Sequence, residues 1–190
     1  VSDYSVIDQG SLVAPAEAWL KDAGDVPAGM APEGFRPIGI GGPFIAANGP
    51  IYMRQAGNET DFGLRVQEKN CNIMRIAHGG WLATLADMIL PLSARLAHDG
   101  PDTFLLTVSL SLDFLGPAPL GCWIEGRGEV LRRTKRLVFV QGNLTVDGAA
   151  IVRASGIFRI GPLMDPAADG RPAKSATGNA DQDATGGNPP

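Results

Sequence analysis

The residues best suited to chemistry lie in one segment, Asn72-Ile-Met-Arg-Ile-Ala-His78-Gly79-Gly80-Trp81-Leu-Ala-Thr-Leu-Ala-Asp87. A histidine and two glycines stand directly ahead of an apolar-periodic run, and a carboxylate follows in what would be its third helical turn. Unpaired backbone N–H groups cluster at a helix start, where the dipole is positive, so a carbonyl oxygen held there is polarised. Glycine at 79 and 80 lets a ligand approach the main chain, and the Gly79 N–H is placed to act as an oxyanion donor, an effect worth roughly 3 kcal/mol. Hydrolysis also needs a base or a nucleophile, and Asp87 is the candidate. At 1.5 Å per residue, however, Asp87 sits about 12 Å along the helix from Gly79, too far to act on a carbonyl bound by its own chain. The spacing therefore predicts a twofold interface in which Gly79 of one chain and Asp87 of its partner form each of two equivalent sites.

The neighbouring residues have plainer uses. His78 reads as a cap that fixes the loop and the helix start rather than as an acid or base. Asn72 suits either a turn-closing role or a place in the site. Cys71 with His78 and Asp87 superficially suggests a cysteine hydrolase, but no nucleophile elbow accompanies them.

The element that must carry Asp87 is a helix from Gly79 to His98. Leu82, Leu85, Ala86, Ile89, Leu92 and Leu96 form one stripe at about 100° per residue, a core face. The other side carries Gly80, Ala83, Thr84, Asp87, Pro91 and Ala94, mostly small, so another backbone can approach it. Pro91 withholds the hydrogen bond that the Asp87 carbonyl would receive, which predicts a kink. Trp81 and Met88 read as packing groups at the groove, able to shape a ligand pocket.

After the helix the period changes to two. Leu106, Val108, Leu110, Leu112 and Phe114 alternate with Thr107, Ser109, Ser111 and Asp113, the clearest strand in the chain. Cys122 to Leu131, Arg136 to Val146 and Ala150 to Ile160 follow as strands, the last two joined by Asp147-Gly148, a pair suited to a type I′ hairpin. Phe44 to Gln55 and Asp61 to Glu68 are two shorter candidates ahead of the helix. The expected class is α+β, an antiparallel sheet covered on one face by one long helix.

Residues 43–161 are thus expected to form a single domain. Residues 1–42 read as an arm with a short helix at Ala16 to Ala23, after which Pro27, Pro32, Pro37 and the Gly39 to Pro43 run break regular structure. Residues 162–190, rich in Gly, Pro and Ala, read as a disordered tail.

The 190 residues, 44% of them hydrophobic, suffice for one core. A net charge of −4 gives no broad positive field for nucleic acid or anionic membrane. No stretch reads as a secretory signal or reaches membrane-spanning length, and two cysteines outside any metal-ligand spacing suit a reducing compartment. A cytoplasmic protein with no metal and no cofactor is the expectation. Any anionic ligand must meet a local basic group, and Arg132, Arg133, Lys135 and Arg136 supply one at a turn between two strands.

Asn72, His78, Gly79, Gly80 and Asp87 together resemble the motif of the PaaI-like acyl-CoA thioesterases of the hotdog-fold superfamily, an Asn, then His-Gly-Gly, then an Asp nine residues beyond the His. The stretch Thr107 to Gly121 also looks like that family's central strand and following turn. The resemblance covers about residues 43–161. It implies a hotdog fold, a sheet wrapped around one central helix, with subunits paired into a continuous sheet as a homodimer and often as a homotetramer. It implies hydrolysis of acyl-CoA to free acid and coenzyme A. The implied roles are Asp87 as base or nucleophile, Gly79 N–H as oxyanion donor, Asn72 as orienter of water or thioester, and Thr107 as polar partner of the carboxylate. Gly80, Trp81 and Met88 would line the substrate, and Arg133, Lys135 and Arg136 would meet the nucleotide. Two other functions fit such a scaffold, a non-catalytic acyl-CoA or lipid-binding protein and a hotdog hydratase.

Overall fold

The computed structural model describes residues 29–38, 42–56, 59–97 and 103–163. The expected helix at Ala16 to Ala23, most of the 1–42 arm and nearly all of the 162–190 tail lie outside them.

Seven strands form one antiparallel sheet in the order β1-β2-β3-β5-β6-β7-β4: β1 Arg36–Ile38, β2 Ile51–Ala56, β3 Glu59–Arg65, β4 Thr103–Phe114, β5 Trp123–Arg133, β6 Leu137–Val146 and β7 Ala149–Leu163. Among the described residues two α-helices accompany it, α1 Gly42–Asn48 and α2 Gly79–Leu96, with a single 3-10 turn at Glu68–Asn70. The hairpin at Asp147-Gly148 has φ of 49° and 79°, and Val146 pairs with Ala149, as a two-residue type I′ turn requires.

Three readings are corrected. Phe44 to Asn48 is not the start of a strand but the body of α1, which opens on Gly42-Pro43 and leaves Phe44 exposed; Pro suits the start of a helix, where its missing N–H costs nothing. Pro37 does not break regular structure, because β1 pairs with β2 alone, and an edge strand tolerates a proline. Ala94 does not lie on the open side of α2 but is fully buried, with Leu90 and Phe158 in its cluster.

Helix α2 runs through Pro91 without a break and packs across β3 to β7. Leu82, Leu85, Ile89 and Leu92 enter one core cluster, and Ala86, Leu90 and Ala94 a second. The helix can sit low because the sheet beneath it is nearly bare. Gly128, Gly142 and Ala154 are direct neighbours on β5, β6 and β7. A Cβ on Gly128 would stand 2.9 Å from Ser93 Cβ, and one on Gly142 would run into the Arg127 carbonyl. The Ser93 hydroxyl, buried, accepts a hydrogen bond from the Gly128 N–H at 2.9 Å, which ties helix to sheet.

Candidate active site

The loop that delivers the helix start is built by its own polar groups. Asn72 closes a turn: its side-chain oxygen accepts from the Met74 N–H at 2.9 Å and its carbonyl from Arg75, which takes φ of 57°. That is the turn-closing use, and Asn72 points its oxygen at its own loop. Asn70, unremarked in the sequence, is the buried keystone, only 3% exposed. Its side chain accepts from the Gln67 N–H and donates to the Asn48 carbonyl, and its own carbonyl accepts from the His78 N–H at 2.8 Å. The Asn48 carbonyl also accepts from the Trp81 indole N–H at 3.0 Å. Trp81 is thereby a buried core residue, while Met88 is half-buried. Asn70→Ala would leave the Gln67 N–H without its acceptor and take one donor from the Asn48 carbonyl, so we expect a loss of about 1–3 kcal/mol in stability, measurable by urea denaturation.

His78 is the N-cap of α2, with its Nδ1 accepting from the Gly80 N–H at 3.0 Å. The Trp81 and Leu82 N–H groups donate to the His78 carbonyl. Of the first-turn amides, Gly79 N–H alone has no acceptor among the described residues. Helix starts carry such open donors, and here three of the four are occupied by the cap itself. Beside it stands another residue whose place the sequence did not reveal, Phe114. Its ring lies 3.7 Å from where a Gly79 Cβ would be, and it is 54% exposed.

Asp87 is half-buried on the open side of α2, and its carboxylate accepts a 2.7 Å hydrogen bond from the Thr107 hydroxyl. A simple alternation would put Thr107 on the face opposite Leu110. A bulge prevents this: Thr107 pairs with Phe158 and Ser109 with Ile157, leaving Val108 as an extra residue, 60% exposed. The bulge shifts the phase of β4, so Thr107 joins Leu110, Leu112 and Phe114 on the helix side. Thr107→Val removes a charge-assisted hydrogen bond that orients the carboxylate. We expect about a tenfold fall in kcat/KM with little change in melting temperature.

The basic turn is not brought to Asp87 within the chain. A second bulge, at Leu131, turns Arg133 toward the helix side, where burial lowers its pKa, while Arg132, Lys135 and Arg136 are exposed. Arg133 shares a cross-strand row with Thr107, but Phe158 and Val138 lie between them beneath Ala86, Leu90 and Ala94. On the outer face of the sheet a groove of about 620 Å³ is lined by polar groups including Asp61, Arg127, Gln141 and Arg153. None of the candidate site residues lines it. Most of its charges are already paired: Arg127 and Arg54 both bond Asp61, Arg153 bonds Asp113 and Arg54 reaches Glu125, while Glu129 accepts from the Gln141 amide. Burial works to raise the pKa of Asp61, but the two guanidinium groups outweigh it and the net shift is downward. Among the described residues there is no cluster able to hold a metal ion, and no helix long and apolar enough to cross a membrane.

The profile of the thioesterase superfamily matches residues 74–150, from the Asn72–Arg75 turn through helix α2 to the β6–β7 hairpin. A Pseudomonas aeruginosa protein named "Putative esterase" is 36% identical over 130 residues, covering 68% of this chain and 96% of that protein. The chain belongs to the thioesterase superfamily. Human acyl-coenzyme A thioesterase 13 is 29% identical over 93 residues, 49% of this chain and 65% of its own length. A mutant of the phenylacetic acid degradation protein PaaI from Thermus thermophilus superposes with a TM-score of 0.53 over 62% of this chain and 98% of that one, at 23% identity, a likeness of fold. The antiparallel sheet folded over α2 is the hotdog fold of this superfamily, and its relatives support a hydrolase. Within that frame, the histidine-capped helix start and the threonine-held aspartate are polar features of α2 that face outward, beside Thr84 and Arg95.

Proposed function

We propose that the protein is a homodimeric acyl-CoA thioesterase in which Asp87 of one protomer acts on a thioester held by the Gly79 N–H of its partner. The observation that carries this reading is the pair of unfinished half-sites on one helix. Gly79 offers an N–H with no acceptor among the described residues, and Asp87 offers a carboxylate steadied by Thr107, about 12 Å apart along the axis. Neither alone hydrolyses anything. Brought together from two chains, they supply an oxyanion donor and a base or nucleophile at one carbonyl.

The thioester carbon is attacked either by a water whose proton passes to Asp87 or by the Asp87 carboxylate itself. The carbonyl oxygen gathers negative charge against Gly79 N–H, the C–S bond breaks, and coenzyme A leaves as its thiolate. In the direct route a second attack, by water, releases the acid from the acyl-enzyme. Asn72, His78 and Gly80 hold the loop at the helix start, and half-buried Met88 borders the acyl group. Arg133, Lys135 and Arg136 are candidate contacts for the nucleotide phosphates, remote from the carbonyl.

A thiol-release assay over aryl, medium-chain and long-chain acyl-CoA tests the reading. Turnover with one class supports it. Stoichiometric acyl-CoA binding without thiol release would replace it with a carrier function, and enoyl-CoA hydration with a hydratase.

A further inference from the structure

Trp81 carries a polar group that packing alone does not require. It is 6% exposed and sits in a core cluster, yet its indole N–H reaches the Asn48 carbonyl at the end of α1, 3.0 Å away. The last carbonyls of a helix have no partner within it and are open to such donors. The same carbonyl accepts from Asn70 Nδ2 at 3.3 Å, the Asn70 carbonyl accepts from the His78 N–H at 2.8 Å, and the His78 carbonyl accepts from the Trp81 N–H at 2.9 Å. These bonds close a circuit through Asn48, Asn70, His78 and Trp81. Gly79 lies on the stretch of chain between its last two members.

The circuit grips His78 at both ends of its main chain. A trans peptide group is planar, so the Gly79 N–H points opposite to the His78 carbonyl. That carbonyl is fixed by the Trp81 and Leu82 N–H groups, and the His78 N–H by Asn70, so rocking the peptide between His78 and Gly79 must stretch a bond of the circuit. Its anchor is itself tied down. The Asn48 side chain donates to the Phe44 carbonyl and Lys69 Nζ to the Ala47 carbonyl, each at 2.9 Å. Asn48 and Asn70 both precede residues 74–150 matched by the superfamily profile, so the helix start takes its support from outside that segment.

We propose that Trp81 and Asn70 are positioning residues for the reaction, aiming the Gly79 N–H by fastening the helix start to the Asn48 carbonyl. The inference rests on the reading of that N–H as the oxyanion donor, and adds how its direction is held. A hydrogen bond weakens steeply as the donor turns away from its acceptor, and the charge on the oxygen is greatest in the transition state. Binding of the substrate is spread over many contacts and changes little. A misaimed donor therefore lowers kcat and spares KM.

Trp81→Phe removes the indole N–H and keeps an aromatic ring in the core. It is expected to lower kcat about tenfold with KM within about twofold of wild type. The deciding comparison puts Trp81→Phe into a Gly79→Pro chain, which has no N–H left to aim, and there it should cost less than about twofold. An equal loss on both backgrounds, or a wild-type kcat in Trp81→Phe alone, overturns the proposal. Should phenylalanine loosen the core, benzothienylalanine at position 81, with sulfur in place of the N–H on the same bicyclic ring, repeats the comparison. Hydrogen exchange reads the circuit without turnover. In either variant the His78 amide should exchange at least about fivefold faster while the amides of Leu85 to Leu90 keep their rates, whereas loss of packing would speed both. An unchanged His78 amide overturns the proposal. Undiminished kcat in Gly79→Pro removes the oxyanion reading and this inference with it, while a slow Gly79→Pro beside a Trp81→Phe of wild-type kcat removes this inference alone.

Discussion

Asp87→Asn is expected to lower kcat by at least about 10³-fold while the protein stays folded, because the amide neither accepts a proton from water nor attacks a carbonyl. Asn is nearly the same size and still accepts from the Thr107 hydroxyl, so the geometry in which Asp87 accepts 2.7 Å from Thr107 is kept and only the charge is lost. The carboxylate is half-buried on the open side of α2, away from both core clusters, and a melting curve should move little. Thiol release measured against a folded control separates this from general damage. Near wild-type kcat in Asp87→Asn on every substrate that wild type cleaves would sink the assignment of Asp87.

Gly79→Pro is the complementary experiment, expected to cost about 10²–10³ in kcat. Proline at the first helical position deletes the N–H without disturbing the helix, where that group has no internal partner. The residue before a proline must be extended, and His78 already is, with φ −66° and ψ 135°. The Phe114 ring, 3.7 Å from the added Cβ position, leaves ordinary contact room. Mixing the two inactive proteins after dissociation discriminates between one-chain and two-chain sites. Each mixed dimer holds one site with both native groups, so an equal mixture is expected to recover about a quarter of wild-type activity. If Asp87 and Gly79 worked within one chain, mixing would recover nothing.

Much of this was legible in the residues, for reasons that are local. The helical stripe from Leu82 to Leu92, the Asp147-Gly148 turn and the strands after Cys122 each follow from a period or a dihedral preference within a short window. The chemistry-bearing motif was legible because His78, Gly79 and Asp87 lie on one helix, so their separation follows from its rise. What escaped was decided by distant partners. Nothing near Asn70 in the chain announces that Asn48 and His78 will both close on it. Ala94 is small enough for either side of a helix, and the second core cluster took it. Alternation assigned Thr107 to the face away from Leu110, and only the ladder with β7 reveals the extra residue at 108 that reverses it. Phe114 looked like one more apolar position in a strand, and its contact with Gly79 depends on where α2 is laid. Strand order is equally non-local: β4 leaves its successor β5 and pairs with β7, and so becomes an edge.

The row of Gly128, Gly142 and Ala154 under α2 has a bearing on how such a cleft can diversify. Along that row the sheet offers the helix nothing longer than a methyl, so little can be resized there to raise or lower Asp87. A single methyl at Gly128, 2.9 Å from the Ser93 Cβ, would act as a shim, lifting the helix and stretching the Thr107 contact. Drift in what the enzyme accepts is thereby channelled to the periphery of the cleft, where bulk can change while the acid stays at a constant height.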